Sequence, residues 1–178
     1  MIEFFSAMTA LDIILILIWI TAVIVGATSG IIRELLILGA MLIGMIAGNV
    51  AAPKSSQGTG MVSGLGTEAA LPFTYTFIVI AVAIVFYIIA HRSYPGTRLA
   101  GHDTLDHVGG AILGFLAGLI GITELVAMLL FVTDGQWAAF EGMRIAVRSQ
   151  LQSTPFLPLV AQTFPFVQAL VNSLLPSP

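Results

Sequence analysis

Apolar residues run almost unbroken through positions 11–27, 31–52, 71–90 and 108–132, with polar residues gathered in the stretches between them. Each run is long enough to cross a hydrocarbon core of about 30 Å, which takes on the order of 20 helical residues. The first two cannot form one helix, because roughly 40 residues at about 1.5 Å each would reach about 60 Å, twice the bilayer core. The chain must therefore turn between them, within GATSGIIRELL (residues 26–36). There Gly26, Thr28, Ser29 and Gly30 supply turn-tolerant backbone, and Arg33 and Glu34 mark a membrane surface. Glu34 suits the positive end of the second helix, while Arg33 can run its stem along the helix and keep its guanidinium among head groups.

Residues 53–70, PKSSQGTGMVSGLGTEAA, are rich in Gly and Ser and read as a mobile loop. A second loop, residues 91–106, carries Arg92 and Arg98. After Asp134 the pattern changes. Phe140, Met143, Val147 and Leu151 recur at helical spacing beside a polar stripe of Glu141, Arg144, Arg148 and Gln152, and Trp137 sits where aromatics favour an interface. This predicts an amphipathic helix lying along the membrane. Pro155, Pro158 and Pro165 then interrupt the last apolar stretch, so residues 156–175 are expected to be broken and surface-lying.

Composition sharpens the class. The 178 residues are 58% hydrophobic and only 8% charged, with a mean hydropathy of +1.05, against roughly a quarter charged in soluble domains. The expected fold is all-α, an integral membrane bundle of four transmembrane helices with a C-terminal amphipathic interfacial helix. Residues 1–134 form the transmembrane unit and 135–178 a Pro-broken membrane-surface tail. A net charge of −3 argues against nucleic acid, which needs clustered Lys and Arg. The absence of cysteine excludes disulfides, thiolate metal sites and thiol chemistry. The N-terminus carries Glu3 and Asp12 and no basic residue before the apolar run, so the first helix is expected to remain in the mature protein. Arg33, Arg92 and Arg98 fall on one side of the bundle against Lys54 on the other, which places both termini outside the cytoplasm, with Arg144 and Arg148 weighing against it.

Three features carry candidate chemistry. Small residues recur every four positions at Ala22, Gly26 and Gly30, at Ala40, Gly44 and Gly48, and at Gly110, Gly114 and Gly118. Such faces let helix backbones approach closely, within the bundle or between copies; the alternative is a wet seam for a solute. Glu124 is the carboxylate well inside a span. Insertion there costs about +2.5–3.5 kcal/mol for a charged residue, so it is a proton or cation site, or a protonated group bonded to a nearby carbonyl. GHDTLDH (residues 101–107) offers two His and two Asp, but capping of the fourth helix by Asp103, with Asp106 in its first turn, is more economical than a metal. No phosphate-binding loop, HExxH or GxSxG motif is present, and neither an enzyme, a metal nor a cofactor is expected.

Two motifs resemble the colicin V production protein family, CvpA, small bacterial membrane proteins with about four spans. The first is an Asp opening the first helix and then G-x-x-R-G-x-x-R-E, represented by Asp12, Gly26, Ser29, Gly30, Arg33 and Glu34. The second, D-R-x-x-G-x-x-x-G-x-x-R-G, is represented by Asp106, His107, Gly110, Gly114, Ala117 and Gly118. Ser29, His107 and Ala117 stand where the family often has arginine. The resemblance implies a bacterial inner-membrane protein, multi-pass, with a part in colicin V-type toxin production or export and in envelope homeostasis. The expected role is a non-enzymatic scaffold or accessory factor whose partners are the bilayer and a second copy or a membrane or secretion protein. The alternatives are a small transporter or channel with a glycine-lined path and Glu124, and a regulatory membrane domain for a separate protease or secretion partner.

Overall fold

A computed structural model describes residues 8–63, 67–93, 102–134 and 141–174. These form six helices and, among the described residues, no strand: α1 (Ala10–Ser29), α2 (Ile31–Ser63), α3 (Thr67–Ser93), α4 (Asp103–Asp134), α5 (Glu141–Ser153) and α6 (Leu157–Leu174). Four stretches are long and apolar enough to cross a membrane: Ala10–Ser29, Ile31–Ser56, Ala70–Ser93 and Asp103–Asp134. Arg98, Trp137 and Phe140, named above from the sequence, lie outside the described residues.

α1 starts on a capping box. Thr9 Oγ1 accepts the Asp12 N–H at 3.3 Å, and the Thr9 N–H donates to Asp12 Oδ2 at 2.7 Å, satisfying donors that the first helical turn leaves free. The helix then continues through Gly26, Thr28 and Ser29, which were expected to form the turn. Only Gly30 breaks it, at φ +83°, a conformation open to glycine because it has no Cβ. The turn is shorter than expected because the Thr28 hydroxyl folds back onto the Ile24 and Val25 carbonyls and stays compatible with helix.

Residues 53–70 also depart from the expected loop. α2 runs through Pro53 to Ser63, and α3 begins at Thr67. Helical hydrogen bonds close within the segment and need no apolar surroundings, so the rod extends past the apolar window that ends at Ser56. Proline removes one donor from that ladder without ending it.

The spans pack as two antiparallel pairs. α1 lies against α4, with Gly26 meeting Gly110 and Trp19 meeting Gly118; α2 lies against α3, with Gly44 meeting Val79 and Gly48 meeting Tyr75. Two buried clusters hold the bundle together. Leu15, Ile122 and Val126 join Leu151, Phe156 and Val160 of the tail, and Met45 and Val79 join Val167 and Val171 of α6. Ile14, Leu17, Phe77, Ile84 and Ile112 are exposed, as side chains facing lipid must be, since hydrocarbon exacts no penalty for them.

α5 and α6 meet at 89°. Two of the three prolines expected to break residues 156–175 fall where a helix tolerates them. Pro155 sits in the turn, Pro158 lies in the first turn of α6 where its missing N–H has no partner to lose, and Pro165 is inside a helix that continues to Leu174. Val147 and Leu151 face the bundle, whereas Met143 is exposed.

Candidate functional site

The glycines of α1 and α4 form one continuous seam. A Cβ on Gly26 would lie 2.8 Å from Gly114 Cα and closer still to the Gly110 carbonyl, and one on Gly110 would strike the Gly26 carbonyl. A Cβ on Gly114 would run into the Ala22 carbonyl, and one on Gly118 would lie 2.6 Å from Trp19 Cδ1. Backbone thus meets backbone, and the small residues permit van der Waals contact that a larger side chain would prevent. The Trp19 indole N–H donates to the Phe115 carbonyl at 3.1 Å, and the two rings sit 4.8 Å apart. The second stripe acts similarly against α3: a Cβ on Gly44 would lie 3.1 Å from the Val79 carbonyl, and one on Gly48 would lie 2.7 Å from the Tyr75 ring. Ala40 is buried.

Two buried carboxylates lock the ends of this packing. Asp106 Oδ1 accepts the Ile31 N–H at 2.9 Å, capping α2 from a different helix, while its Oδ2 fills the space where Gly30 would carry a Cβ. This corrects the expectation that the Asp pair serves α4 alone: only Gly30 separates α2 from α1, and it has no side chain to cap the helix. His107 is likewise committed locally, with Nδ1 2.8 Å from the Asp103 carbonyl oxygen. At the other end Asp12, 0% exposed, also accepts the Thr154 hydroxyl on Oδ1, joining α1 to the α5–α6 turn. Arg33 is half-buried in the first turn of α2. Beside it Glu34 is 2% exposed, and its Oε2 has no hydrogen-bond partner among the described residues.

The polar stripe of α5 does more than face water. Arg144 and Arg148 donate to the Thr133 carbonyl at 2.8 and 3.2 Å, and Arg148 pairs with Asp134 at 2.9 Å. Cations and donors at a helix C-terminus satisfy its last carbonyls and complement its dipole. Gln150 Oε1 accepts the Leu11 N–H at 3.3 Å.

Glu124 lies elsewhere, at the inner end of a cavity of about 470 Å³ between α2, α3, α4 and α6. Tyr75 lines the same cavity wall as Glu124, and Gly48 leaves the room that the Tyr75 ring occupies. Asn49, Thr76 and Gln168 add polar groups to the wall, and Phe131 and Phe164 add rings. The cavity reaches Asp134 at the end of α4, about 15 Å of helical rise from Glu124. One turn further in, Met45, Val79 and Ile120 pack together. A carboxylate at the end of a mostly apolar pocket can bind a cation or hold a proton.

Of the residues singled out in the sequence, Gly26, Gly30, Asp106, Gly110, Gly114 and Gly118 come together with Ala22 on α1 and α4. Glu124 stands apart from them. Sequence reasoning missed Tyr75, Asn49 and Gln168, whose only signal was a polar group in a mainly apolar helix, and Thr154, which carried none.

No curated protein and no solved structure matches the chain. The family model for colicin V production protein matches residues 11–165, a stretch that includes both glycine motifs, the two clamping aspartates and the cavity wall as far as Phe164. The chain belongs to the colicin V production protein family.

Proposed function

We propose that this membrane protein is a non-enzymatic scaffold or accessory factor of the bacterial inner membrane, serving colicin V-type toxin production and export and envelope homeostasis. The observation supporting this reading is the α1·α4 seam, whose glycine faces are filled by neighbouring backbone and by Trp19 rather than by a path for solute. Asp106 and Asp12 tie its two ends to α2 and to the tail. A bundle fixed in this way offers a constant outer surface to lipid, to a second copy, or to a membrane or secretion partner.

The same reading places Arg33 and Arg92, in the first turn of α2 and the last turn of α3, on the cytoplasmic side, and so both termini outside it. Arg144 and Arg148 at the opposite end are engaged by α4. The competing transporter or channel needs Glu124 on its path, and one turn from it Met45, Val79 and Ile120 pack together.

Complementation separates the two readings. In cells that secrete colicin V but lack their own family member, a scaffold is expected to restore toxin yield as Glu124→Gln and to fail as Gly110→Leu. Failure of a folded Glu124→Gln variant overturns the scaffold in favour of transport.

A further inference from the structure

We infer that the cavity ending at Glu124 is a binding site for a hydrophobic organic cation, an amine or onium group carried on an apolar body. The inference stands independently of the scaffold reading. At about 470 Å³ the cavity falls within the roughly 300–1,000 Å³ of small-molecule pockets, and it is far larger than a bare metal ion or a proton requires.

Charge selects the ligand's sign. Among the described residues the lining holds two carboxylates, Glu124 and Asp134, and no Lys, Arg or His. Asp134, at the outer end, is paired with Arg148 at 2.9 Å, which leaves Glu124 as the anion-forming group of the interior. An anionic ligand would meet no opposite charge there. A cation would supply the counter-charge that an ionised carboxylate at membrane depth needs.

The apolar part of the ligand has its own surroundings. Phe131 and Phe164 lie with ring centroids 6.3 Å apart and planes at 52°, offering faces both to an apolar body and to a cation. Tyr75 lines the cavity with Glu124, whose carboxylate has lone pairs to offer a ligand, since a carboxylate accepts about four hydrogen bonds. Met45, Val79 and Ile120 pack together one turn further along the bundle from Glu124. An acyl chain from the bilayer would match the apolar wall, but it has no use for Glu124.

Two probes of one shape and opposite charge distinguish these occupants. Tetraphenylphosphonium and tetraphenylborate would be titrated into the purified full chain in lipid nanodiscs, with empty discs as the partition control. The expected result is saturable binding of the phosphonium alone, weakened at least tenfold by Glu124→Gln and by Ala127→Leu, which narrows the cavity without touching a polar group. Equal binding of both ions, or a phosphonium affinity unchanged in either folded variant, overturns the site. Ala127→Leu keeps the test decisive if Glu124→Gln does not fold.

Discussion

Asp106 and Ile31 lie 75 positions apart in the chain and meet at 2.9 Å as carboxylate acceptor and backbone donor. This bond allows α2 to begin with only Gly30 between it and α1, because the cap that α2 lacks locally is supplied by α4. A hydrogen bond to a charged group contributes about 1.5–3 kcal/mol, and its loss leaves a buried N–H unsatisfied. Asp106→Ala is therefore expected to lower the melting temperature of the purified chain clearly. Asp106→Asn, which keeps an acceptor oxygen, should lose less. An Ala variant that melts with the wild type would remove the clamp from this account.

Glycine substitutions should divide sharply by position. Gly26→Ala places a methyl against the Gly110 carbonyl and should force α1 from α4, whereas at Gly39 an added Cβ meets nothing within 4 Å. Gly39→Ala is expected to be neutral or to stabilise by up to about 1 kcal/mol through the helix preference for alanine over glycine. Thermal unfolding of the two variants side by side tests the seam. Equal behaviour would mean that α1 and α4 are not in backbone contact.

The four spans were legible in the sequence because hydropathy is a local property that no partner has to reveal. The fourfold spacing of small residues likewise announced close packing, but not that Gly26 would face Gly110 and Gly114 while Gly48 would face Tyr75. Asp106 was legible only as an acidic residue in the first turn of its own helix, since the donor it accepts comes from a distant part of the chain. Tyr75, Asn49 and Gln168 lie on three different helices, and only tertiary packing brings them to the cavity that holds Glu124. Arg144 and Arg148 read as a solvated stripe, because periodicity shows which residues share a face and not what that face meets.

The tail should be held through Asp12 and Thr154. Removing the hydroxyl in Thr154→Val leaves Asp12 short of a partner in a buried setting, and contacting residues of this kind couple by roughly 0.5–3 kcal/mol. A double-mutant cycle with Asp12→Asn, read by protease cleavage of the chain between α5 and α6, should give a coupling of that size. Simple additivity would show that the two groups do not act together.

Arg144 and Arg148 both donate to the Thr133 carbonyl, so either alone should keep the end of α4 partly capped. Amide exchange over the last turn of α4 is expected to rise modestly in each single Ala variant and strongly in the double one. Unchanged exchange in the double variant would reduce the pair to surface charges.

The interior of the bundle around the glycine motifs is expected to be dry. Ala117, buried on α4 between Gly114 and Gly121, tests it most directly because the chain has no cysteine of its own. Ala117→Cys would be exposed to a small, charged, membrane-impermeant thiol reagent from each side, with Cys at the exposed Ser149 as the reactive control. A folded Ala117→Cys protein that stays unmodified from both sides while the control reacts is the predicted result. Modification from either side would contradict it and show water where this account places packed helix.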